Sequence, residues 1–213
     1  MRSDRRLFLW LTCPAVLQRF ARDVAVFDAD SAALAWRPAA QPGDGELVGP
    51  AGLGIDNRVH LEEYAYAETA GDRGALAAWA AALGTRLDIA DLAERAVLVS
   101  DAGFAHFCRH ATLIQQHNRL SSAKTVQEGA LFSLEAVPPE AVFYGFLGAT
   151  GSRWPASEGT PKADAAAVLA EVRAGLGFTA DRSAGSFHFG GGESTGLGLT
   201  RVVWTNGGNG HGR

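Results

Sequence analysis

Cysteine is scarce in this sequence, and the two that occur stand alone. Cys13 and Cys108 lie in apolar segments of the 213-residue chain, without the Cys-x-x-Cys or Cys/His spacing of a metal site. A disulfide-stapled secreted scaffold needs many more cysteines than this. We therefore predict two buried, unpaired thiols, no metal site and a cytoplasmic location.

Long apolar runs are also missing. The start of the chain imitates a signal peptide, because arginines precede the apolar run Leu7–Leu11, but Pro14 and Arg19 follow too soon for a secretory segment. No run approaches the roughly 20 apolar residues that span a bilayer. We predict neither secretion nor a membrane partner.

The chain lacks the basic excess of a free-standing nucleic-acid binder. It has 19 Lys and Arg against 23 Asp and Glu, a formal net charge of −4, whereas such binders neutralise phosphates with a positive surplus. The charge is uneven, because five arginines stand near the start: Arg2, Arg5, Arg6, Arg19 and Arg22. This stretch is either a local basic face or a solvated helix face.

Strand and helix patterns alternate along the chain. Strands are predicted over 7–12, 58–68, 97–99, 112–120, 129–135, 141–147, 186–189 and 199–204. Helices are predicted over 14–27, 75–83, 89–94, 101–108 and 161–175. The turn Val137-Pro-Pro-Glu140 predicts a hairpin between 129–135 and 141–147.

This order predicts an α+β fold, with an antiparallel sheet and helices on one face, as in ferredoxin-like (RRM-like) domains. One domain is predicted over 1–204. Within it, 29–57 is expected to be a flexible loop with at most a short strand at 46–48, and 205–213 is expected to be a disordered tail.

The loop Gly190–Gly198 is the most conspicuous candidate site, because its glycines let a ligand approach main-chain N–H groups closely. It is neither a P-loop nor a dinucleotide fingerprint, since no Gly-Lys-Ser/Thr follows and a strand comes next. From the pattern alone it is equally a tight structural turn or a backbone contact surface for nucleic acid. A soluble phosphate- or nucleotide-binding enzyme that uses this loop is the alternative function.

Other polar residues are weaker candidates. His106, His110 and His117 lack the His-Glu-x-x-His pattern of a zinc site, and ordinary surface histidines are the better interpretation. Arg119 and Lys124 flank a polar loop tip that is either an RNA-backbone contact or merely exposed. The carboxylates Glu62, Glu63, Glu128 and Glu135 form no pattern that places a pair across a cleft.

Three blocks, in order and spacing, resemble one known family. The first is Arg2-Ser3 with Leu7–Pro14 and Leu17–Arg22. The second is Thr112–Leu120 and Lys124–Phe132, with Glu135, Pro138-Pro139 and Phe143-Tyr144. The third is Phe189–Leu199. Together they are similar to the type III-B CRISPR RAMP superfamily protein that forms the repeated backbone, or belly, of an antiviral effector complex. The stretch between Ala29 and Ala96 matches only loosely.

The resemblance implies a ferredoxin-like RAMP fold, copies stacked head to tail along a guide RNA, and contacts mainly to RNA backbone and shape. It implies a cytoplasmic guide-RNA- and target-RNA-binding subunit with other RAMP subunits and copies of itself as partners. The RNA contacts expected from it are Gly191, Gly192, Thr195, Arg119, Arg19 and Arg22. Asn118 and Ser121 depart from the family pattern, which weakens the contacts expected near Arg119.

The resemblance implies that complete family members are metal-dependent endoribonucleases that cleave target RNA. Their N-terminal strand, Gly-containing loop, aspartate-bearing segment and Pro-Gly-Ser-Ser-Leu-Lys-Gly motif have no match in this sequence. We therefore expect an N-terminally incomplete RAMP fold, from an internal start codon or a split protein. No catalytic residue carries over, the chain alone is expected to be inactive, and no cofactor is predicted for it. The divalent metal is expected only in the complete subunit.

Overall fold

The computed structural model describes residues 8–27, 32–154 and 162–205. The chain divides into two compact units, residues 1–143 and 144–213, and each is described by itself. The division lies inside the range 1–204 that the sequence predicts as one domain. The predicted contributions of Arg2, Arg5 and Arg6, and most of the predicted tail, lie outside the described residues.

A five-stranded sheet organises the first unit. Its strands are β1 (Trp10–Thr12), β2 (Glu46–Val48), β3 (Arg58–Leu61), β4 (Tyr64–Thr69) and β5 (Ala96–Val99), in the order β1-β5-β2-β4-β3. The pairs β1–β5 and β2–β4 are parallel, and β2–β5 and β3–β4 are antiparallel. The predicted α+β class is confirmed, but the sheet is mixed where an antiparallel one was expected.

Helices pack against both faces of this sheet. The helices α1 (Pro14–Phe27), α2 (Arg73–Leu87) and α3 (Leu92–Arg95) bury Leu17, Leu76 and Leu92 in one core with Leu98 of β5. On the other face, Phe107 of α4 (Asp101–His110) shares a core with Val97 and Val99 of the same strand. β5 is therefore apolar at every position, as expected for a strand covered on both sides. The prediction of helices on one face is wrong because α4 folds back over the second.

The starts of two helices meet beside β5. α1 begins at Pro14, which has no N–H, and the next donor, the Ala15 N–H, is accepted by Asp101 Oδ1 at 2.8 Å. α4 is capped by Ser100, whose Oγ accepts the Gly103 N–H at 3.1 Å and donates to Asp44 at 3.2 Å. The first turn of α1 is thus capped by the first residue of α4.

The range 58–68, predicted as one irregular strand, is a hairpin of β3 and β4. Leu61 pairs with Tyr64, so only Glu62 and Glu63 form the turn. Glu62 adopts a left-handed backbone with φ of 54°, the conformation that two-residue hairpin turns require.

A second hairpin of the first unit pairs β6 (Leu113–His117) with β7 (Phe132–Ala136). The predicted hairpin between 129–135 and 141–147 is therefore wrong, because β7 bonds to the strand before it and residues 141–150 form no strand. Pro138 and Pro139 cannot donate hydrogen bonds, so the chain leaves the ladder there.

The second unit contains α5 (Ala165–Gly175) and the hairpin of β8 (Ala184–His188) with β9 (Leu199–Val203). Asp164 caps the helix, its Oδ1 accepting the Ala167 N–H at 2.8 Å. Phe178 is 3% exposed, and its ring centroid lies 5.5 Å from those of both Phe187 and Trp204. α5 buries none of its residues in the part of the chain described.

The two cysteines differ in exposure. Cys13 is buried, as predicted, but Cys108 is exposed. The reason is helical geometry: Phe107 points into the core, and the next residue lies about 100° further round the helix. Burial raises the pKa of the Cys13 thiol to about 11.

The range 29–57, predicted as a loop, holds a 3-10 turn at Ala32–Leu34 and the strand β2. It also buries Leu34, Leu47 and Leu53, each of which is at most 3% exposed. Residues 29–31 of this range lie outside the described part of the chain. Among the described helices, none has the length and apolarity needed to cross a membrane.

Candidate functional site

The Gly190–Gly198 loop connects β8 to β9 at the tip of their hairpin. Phe189 N–H donates to Gly198 O at 2.9 Å and closes the loop at its base. Inside it, Glu193–Thr195 form a single 3-10 turn between Gly192 and Gly196. The loop is therefore a hairpin connection, and no helix N-terminus begins there.

The glycines of the loop serve different purposes. Gly190, Gly192, Gly196 and Gly198 have φ between 77° and 81°, the left-handed region that favours glycine. A Cβ on Gly198 would also lie 2.2 Å from Phe189 O. Gly191 has neither constraint, because its φ is not left-handed and a Cβ there would meet nothing within 4 Å. The fold needs Gly198 but does not need Gly191.

The backbone donors of the loop fall into two groups. The N–H groups of Thr195, Gly196 and Leu197 donate to carbonyls of Gly192 and Glu193 at 2.9–3.1 Å. The N–H groups of Gly190 through Ser194 make no hydrogen bond to a residue that the structure describes. A row of free, exposed donors is therefore available on the first half of the loop only.

Two predicted contact residues, Gly191 and Gly192, stand in the half with free donors. Thr195 stands in the other, since both its N–H and its Oγ1 donate to Gly192 O, at 2.9 and 2.8 Å. Its side chain thus shapes the loop. The carboxylate of Glu193 is 76% exposed, 3.8 Å from Nδ1 of His188, and places negative charge beside the free donors.

This arrangement gives no support to the alternative of a phosphate- or nucleotide-binding enzyme. A phosphate cradle joins its N–H groups to the N-terminus of a following helix and adds a lysine. Here a strand follows, and the nearest charged side chain of the loop is acidic.

Arg119 lies in the first unit, in the connection between β6 and β7. Its carbonyl accepts the Gln127 N–H at 2.9 Å, and Leu120 bridges to Val126, so the ladder resumes beyond β6. The guanidinium makes no hydrogen bond or ion pair with any described residue. Lys124 forms the turn at the tip with φ of 61°.

The ladder is interrupted between these two paired segments. His117 pairs with Phe132, and Arg119 pairs with Gln127. The chain therefore advances two residues on the first strand but five residues on the second between these two pairs. The extra residues form a bulge, closed by the Ala130 N–H donating to Gln127 O at 3.1 Å. An open depression of about 290 Å³ results, lined by Arg119, Gln127, Glu128, Gly129, Ala130 and Phe132.

The rings of His117 and Phe132 stack beside this depression, with centroids 5.5 Å apart and planes 16° from parallel. Phe132 nevertheless remains 53% exposed. Neither residue was among the predicted contacts. The sequence does show an aromatic residue shortly after Gly129. That His117 lies opposite this residue becomes clear only once the strand register is known.

Arg19 and Arg22 lie on α1, whose buried residues are Pro14, Leu17, Ala21 and Val24. Both arginines are exposed on the rest of the helix. Arg19 lies 3.9 Å from Asp23 and is 74% exposed, whereas Arg22 has no side-chain partner among the described residues. Three of the six predicted contacts thus belong to the first unit, at two places, and the other three form one loop of the second.

Metal-ligating side chains do not cluster within the described ranges: no group of three His, Cys, Asp or Glu there could hold an ion. His106 and His110 do approach each other, with ring centroids 4.7 Å apart, and His106 Nε2 lies 3.1 Å from the Tyr64 hydroxyl. This is an aromatic surface cluster on α4 and β4.

No protein-family model and no curated protein sequence matches the chain, but solved structures do. One described as oligomeric Cmr4 from Pyrococcus furiosus has a TM-score of 0.56 and 20% identity, over 95% of this chain and 67% of its own. One described as Cmr4 has a TM-score of 0.57 and 20% identity, over 96% of this chain and 68% of its own. One described as Pyrococcus furiosus Cmr4 (Cas7) has a TM-score of 0.54 and 21% identity, over 95% of this chain and 68% of its own.

These similarities extend over nearly the whole chain and about two thirds of each Cmr4 structure. At this level of identity they establish the fold. The chain has the fold of Cmr4, so the RAMP fold implied by the three sequence blocks is confirmed.

Proposed function

We propose that this chain is a backbone subunit of a type III CRISPR effector complex, in which it binds guide RNA and lines up the target RNA. The observation that carries the proposal is the Cmr4 fold across 95% of the chain. The sequence blocks support it independently, because they resemble the backbone subunit of that complex. One similar structure is described as oligomeric, which is the assembly expected of a repeated subunit.

The loop at Gly190–Gly198 supplies the main RNA contact in this proposal. Free N–H groups from Gly190 to Ser194 donate to phosphate oxygens or ribose hydroxyls, and the absence of a side chain at Gly191 allows the RNA backbone to come close. Such contacts read shape and not sequence, so they suit a subunit that accepts any guide. They also need no large positive surplus, which fits the net charge of −4.

The exposed arginines Arg119 and Arg22 add phosphate contacts, since neither is engaged by a described residue. Arg19 adds a weaker one, because Asp23 lies beside it. Binding and alignment of RNA are the proposed activity of the chain itself. We assign target-RNA cleavage, and the divalent metal that it requires, to the complete subunit, acting in cytoplasmic antiviral defence.

The test is to purify the tagged chain from cells that contain the other effector subunits, and to sequence the RNA that accompanies it. We expect guide RNA of defined length. Stabilisation by a free nucleotide, with no RNA recovered, would instead establish the nucleotide-binding alternative.

Glycine variants then localise the contact. Gly191→Ala leaves the fold intact but places a methyl group against the RNA backbone, so affinity should fall about ten-fold or more. Gly74→Ala is the matched control, because a Cβ there also meets nothing within 4 Å. Arg119→Ala combined with Arg22→Ala should weaken binding and flatten its salt dependence. Unchanged binding in both variants would remove these residues from the interface.

A further inference from the structure

Two histidines lie side by side on α4, a helix that carries none of the residues proposed to contact RNA. His106 and His110 are four residues apart, and their ring centroids lie 4.7 Å from each other. Residues at this spacing project from the same side of a helix. We propose that the pair chelates one divalent transition-metal ion, of the class of Zn²⁺, Ni²⁺ and Cu²⁺, whose remaining ligands are water molecules. The inference is independent of RNA binding.

The geometry of the pair suits a chelate. A zinc ion bonds imidazole nitrogens at about 2.0–2.1 Å, which places two such nitrogens roughly 3 Å apart. Rings whose centroids are 4.7 Å apart reach this separation by rotation of the two side chains, without movement of the helix. His110 is exposed and makes no hydrogen bond or ion pair with a described residue, so its lone pair is available.

Tyr64 determines which nitrogen of His106 is free. Its hydroxyl lies 3.1 Å from Nε2 of His106. Partial desolvation, and then a hydrogen bond to the Glu63 carboxylate, raises the pKa of this phenol. A carboxylate only accepts, so the single phenol proton points to Glu63, and Nε2 of His106 donates its N–H to the phenol oxygen. Nδ1 of His106 therefore carries the lone pair that binds the ion.

The series Glu63, Tyr64 and His106 is the kind of outer shell that metal sites use. Histidine ligands regularly donate their second N–H to an oxygen acceptor, which fixes the ring and makes the other nitrogen a stronger ligand. The Tyr64 and His106 rings also meet edge to face, with centroids 5.1 Å apart. Tyr64 is the first residue of β4, so the β3–β4 hairpin holds a side chain of α4 in the orientation that a ligand needs.

The end of α4 favours a cation of this class. His110 is the last residue of the helix, where the free carbonyl groups give the helix a partial negative charge. The Glu63 carboxylate adds to this charge, and the exposed Arg109 opposes it. Imidazole nitrogens select zinc, copper and nickel, whereas Mg²⁺ requires oxygen ligands. The site should therefore take Zn²⁺ and not Mg²⁺.

The test is calorimetric titration of the untagged, full-length chain with Zn²⁺, repeated with Mg²⁺. We expect one Zn²⁺ per chain, and no Mg²⁺ at the same concentrations. His106→Gln and His110→Gln should each weaken zinc binding by more than about ten-fold, because each variant keeps only one of the two ligands. Tyr64→Phe keeps both ligands and should weaken binding by about ten-fold, the effect of removing an outer-shell partner.

Nitrogen NMR of the histidine rings separates a ligand from a residue that only supports the fold. When Zn²⁺ is added, the resonance of Nδ1 of His106 should move as that of a metal-bound nitrogen, while Nε2 keeps its proton. One ring nitrogen of His110 should move at the same zinc concentration. Unchanged ring resonances of both histidines in the zinc-bound chain would overturn the proposal.

Two variants are matched controls. His188→Gln removes a single histidine of the other unit whose side chain is 41% exposed. Cys108→Ser removes an exposed thiol that is two residues from each histidine, and therefore about 200° round the helix from them. Both should bind zinc as the unmodified chain does. Equal zinc binding by His106→Gln and His110→Gln would contradict the site, as would unchanged binding in concentrated urea, where no helix holds the two rings together.

Discussion

Cys13 and Cys108 have similar apolar neighbours in sequence but opposite surroundings in the fold. Cys13 follows β1 at the start of α1 and is 3% exposed, while Cys108 lies on the outer side of α4. Burial, and to a lesser degree the Asp101 carboxylate, raises the pKa of the Cys13 thiol from 9.0 to about 11. Cys13 is therefore unreactive for two reasons: a reagent cannot reach the buried sulfur, and the thiol does not ionise to the reactive thiolate at neutral pH.

We predict that a thiol reagent at pH 8 labels one cysteine per native chain and two per unfolded chain. The labelled site is Cys108, identified by mass spectrometry of peptides. Cys108→Ser should abolish labelling of the native chain, and Cys13→Ser should leave it unchanged. Two labels on a folded chain would show that Cys13 is accessible.

The same thiol gives a pH dependence of stability. The unfolded chain releases this proton near pH 9 and the folded chain only near pH 11, so the folded state holds more protons between these values. The free energy of unfolding should therefore decline as pH rises from about 9 to about 11, and Cys13→Ala should lack this part of the decline.

At the scale of elements, Arg73 ties the loop after β2 to β4 and α2. Its Nε donates to Gly49 O at 2.7 Å, and its Nη2 donates to Glu68 Oε1 at 2.9 Å and to Thr69 O at 3.2 Å. The Glu68 carboxylate is 7% exposed and also accepts the Gly52 N–H at 3.1 Å. One ion pair therefore ties this loop to both neighbouring elements, in addition to the buried Leu53.

We predict that Arg73→Ala lowers the free energy of unfolding by roughly 3 kcal/mol, because it leaves the buried Glu68 carboxylate without a counter-charge. Denaturant titration measures the change. The double variant Arg73→Ala with Glu68→Gln should recover part of it, since the uncompensated charge is gone. A double variant as unstable as the sum of the two single ones would show that the pair is not coupled.

Local chemistry made several elements predictable. The start of α1 follows from Pro14, which suits the first helical position, and β5 follows from an unbroken apolar run. The β8–loop–β9 order, and with it the candidate loop, follows from a glycine cluster between two apolar runs. In each case the residues that define the element are close in sequence.

Elements defined by distant partners were not predictable in this way. The apolar pattern of 141–147 is that of a strand, yet β7 pairs with β6, and nothing local distinguishes the two choices. The parallel pairs β1–β5 and β2–β4 join strands that are separated in the chain by other elements. Helices and strands lie between β1 and β5, and β3 lies between β2 and β4, so local patterns did not indicate parallel pairing. The Phe132–His117 stack was missed for the same reason, since it depends on register across the hairpin.

At the scale of the whole molecule, bulky side chains are exposed where the first unit gives way to the second. Phe143, Tyr144, Phe146 and Leu147 are between 42% and 76% exposed, and Trp154 is 81% exposed. The backbone from 141 to 150 belongs to no strand or helix. Surface of this kind is usual for a subunit that is covered by neighbours in an assembly, which agrees with the proposed function.

We predict that chymotrypsin at low concentration cuts the isolated chain first between Phe143 and Trp154, because exposed aromatic side chains there stand on backbone that belongs to no strand or helix. Mass spectrometry of the early fragments locates the cut. Replacing Phe143, Tyr144, Phe146 and Leu147 with alanine should remove the cuts at those positions. Assembly with the other effector subunits should slow the reaction. A first cut at Phe189, whose N–H is bonded within the β8–β9 hairpin, would contradict the prediction.

The hydrogen bond from the Ala15 N–H to Asp101 has a consequence for how the protein is made. The two residues are 86 positions apart, so the ribosome adds 86 residues after Ala15 before the acceptor exists. Until Asp101 leaves the exit tunnel, the first turn of α1 lacks its capping partner, and β1 lacks the strand β5 beside it. Helix α1 is therefore consolidated only after α4 begins to emerge, and a nascent chain arrested before residue 101 would expose the apolar side of α1 to chaperones.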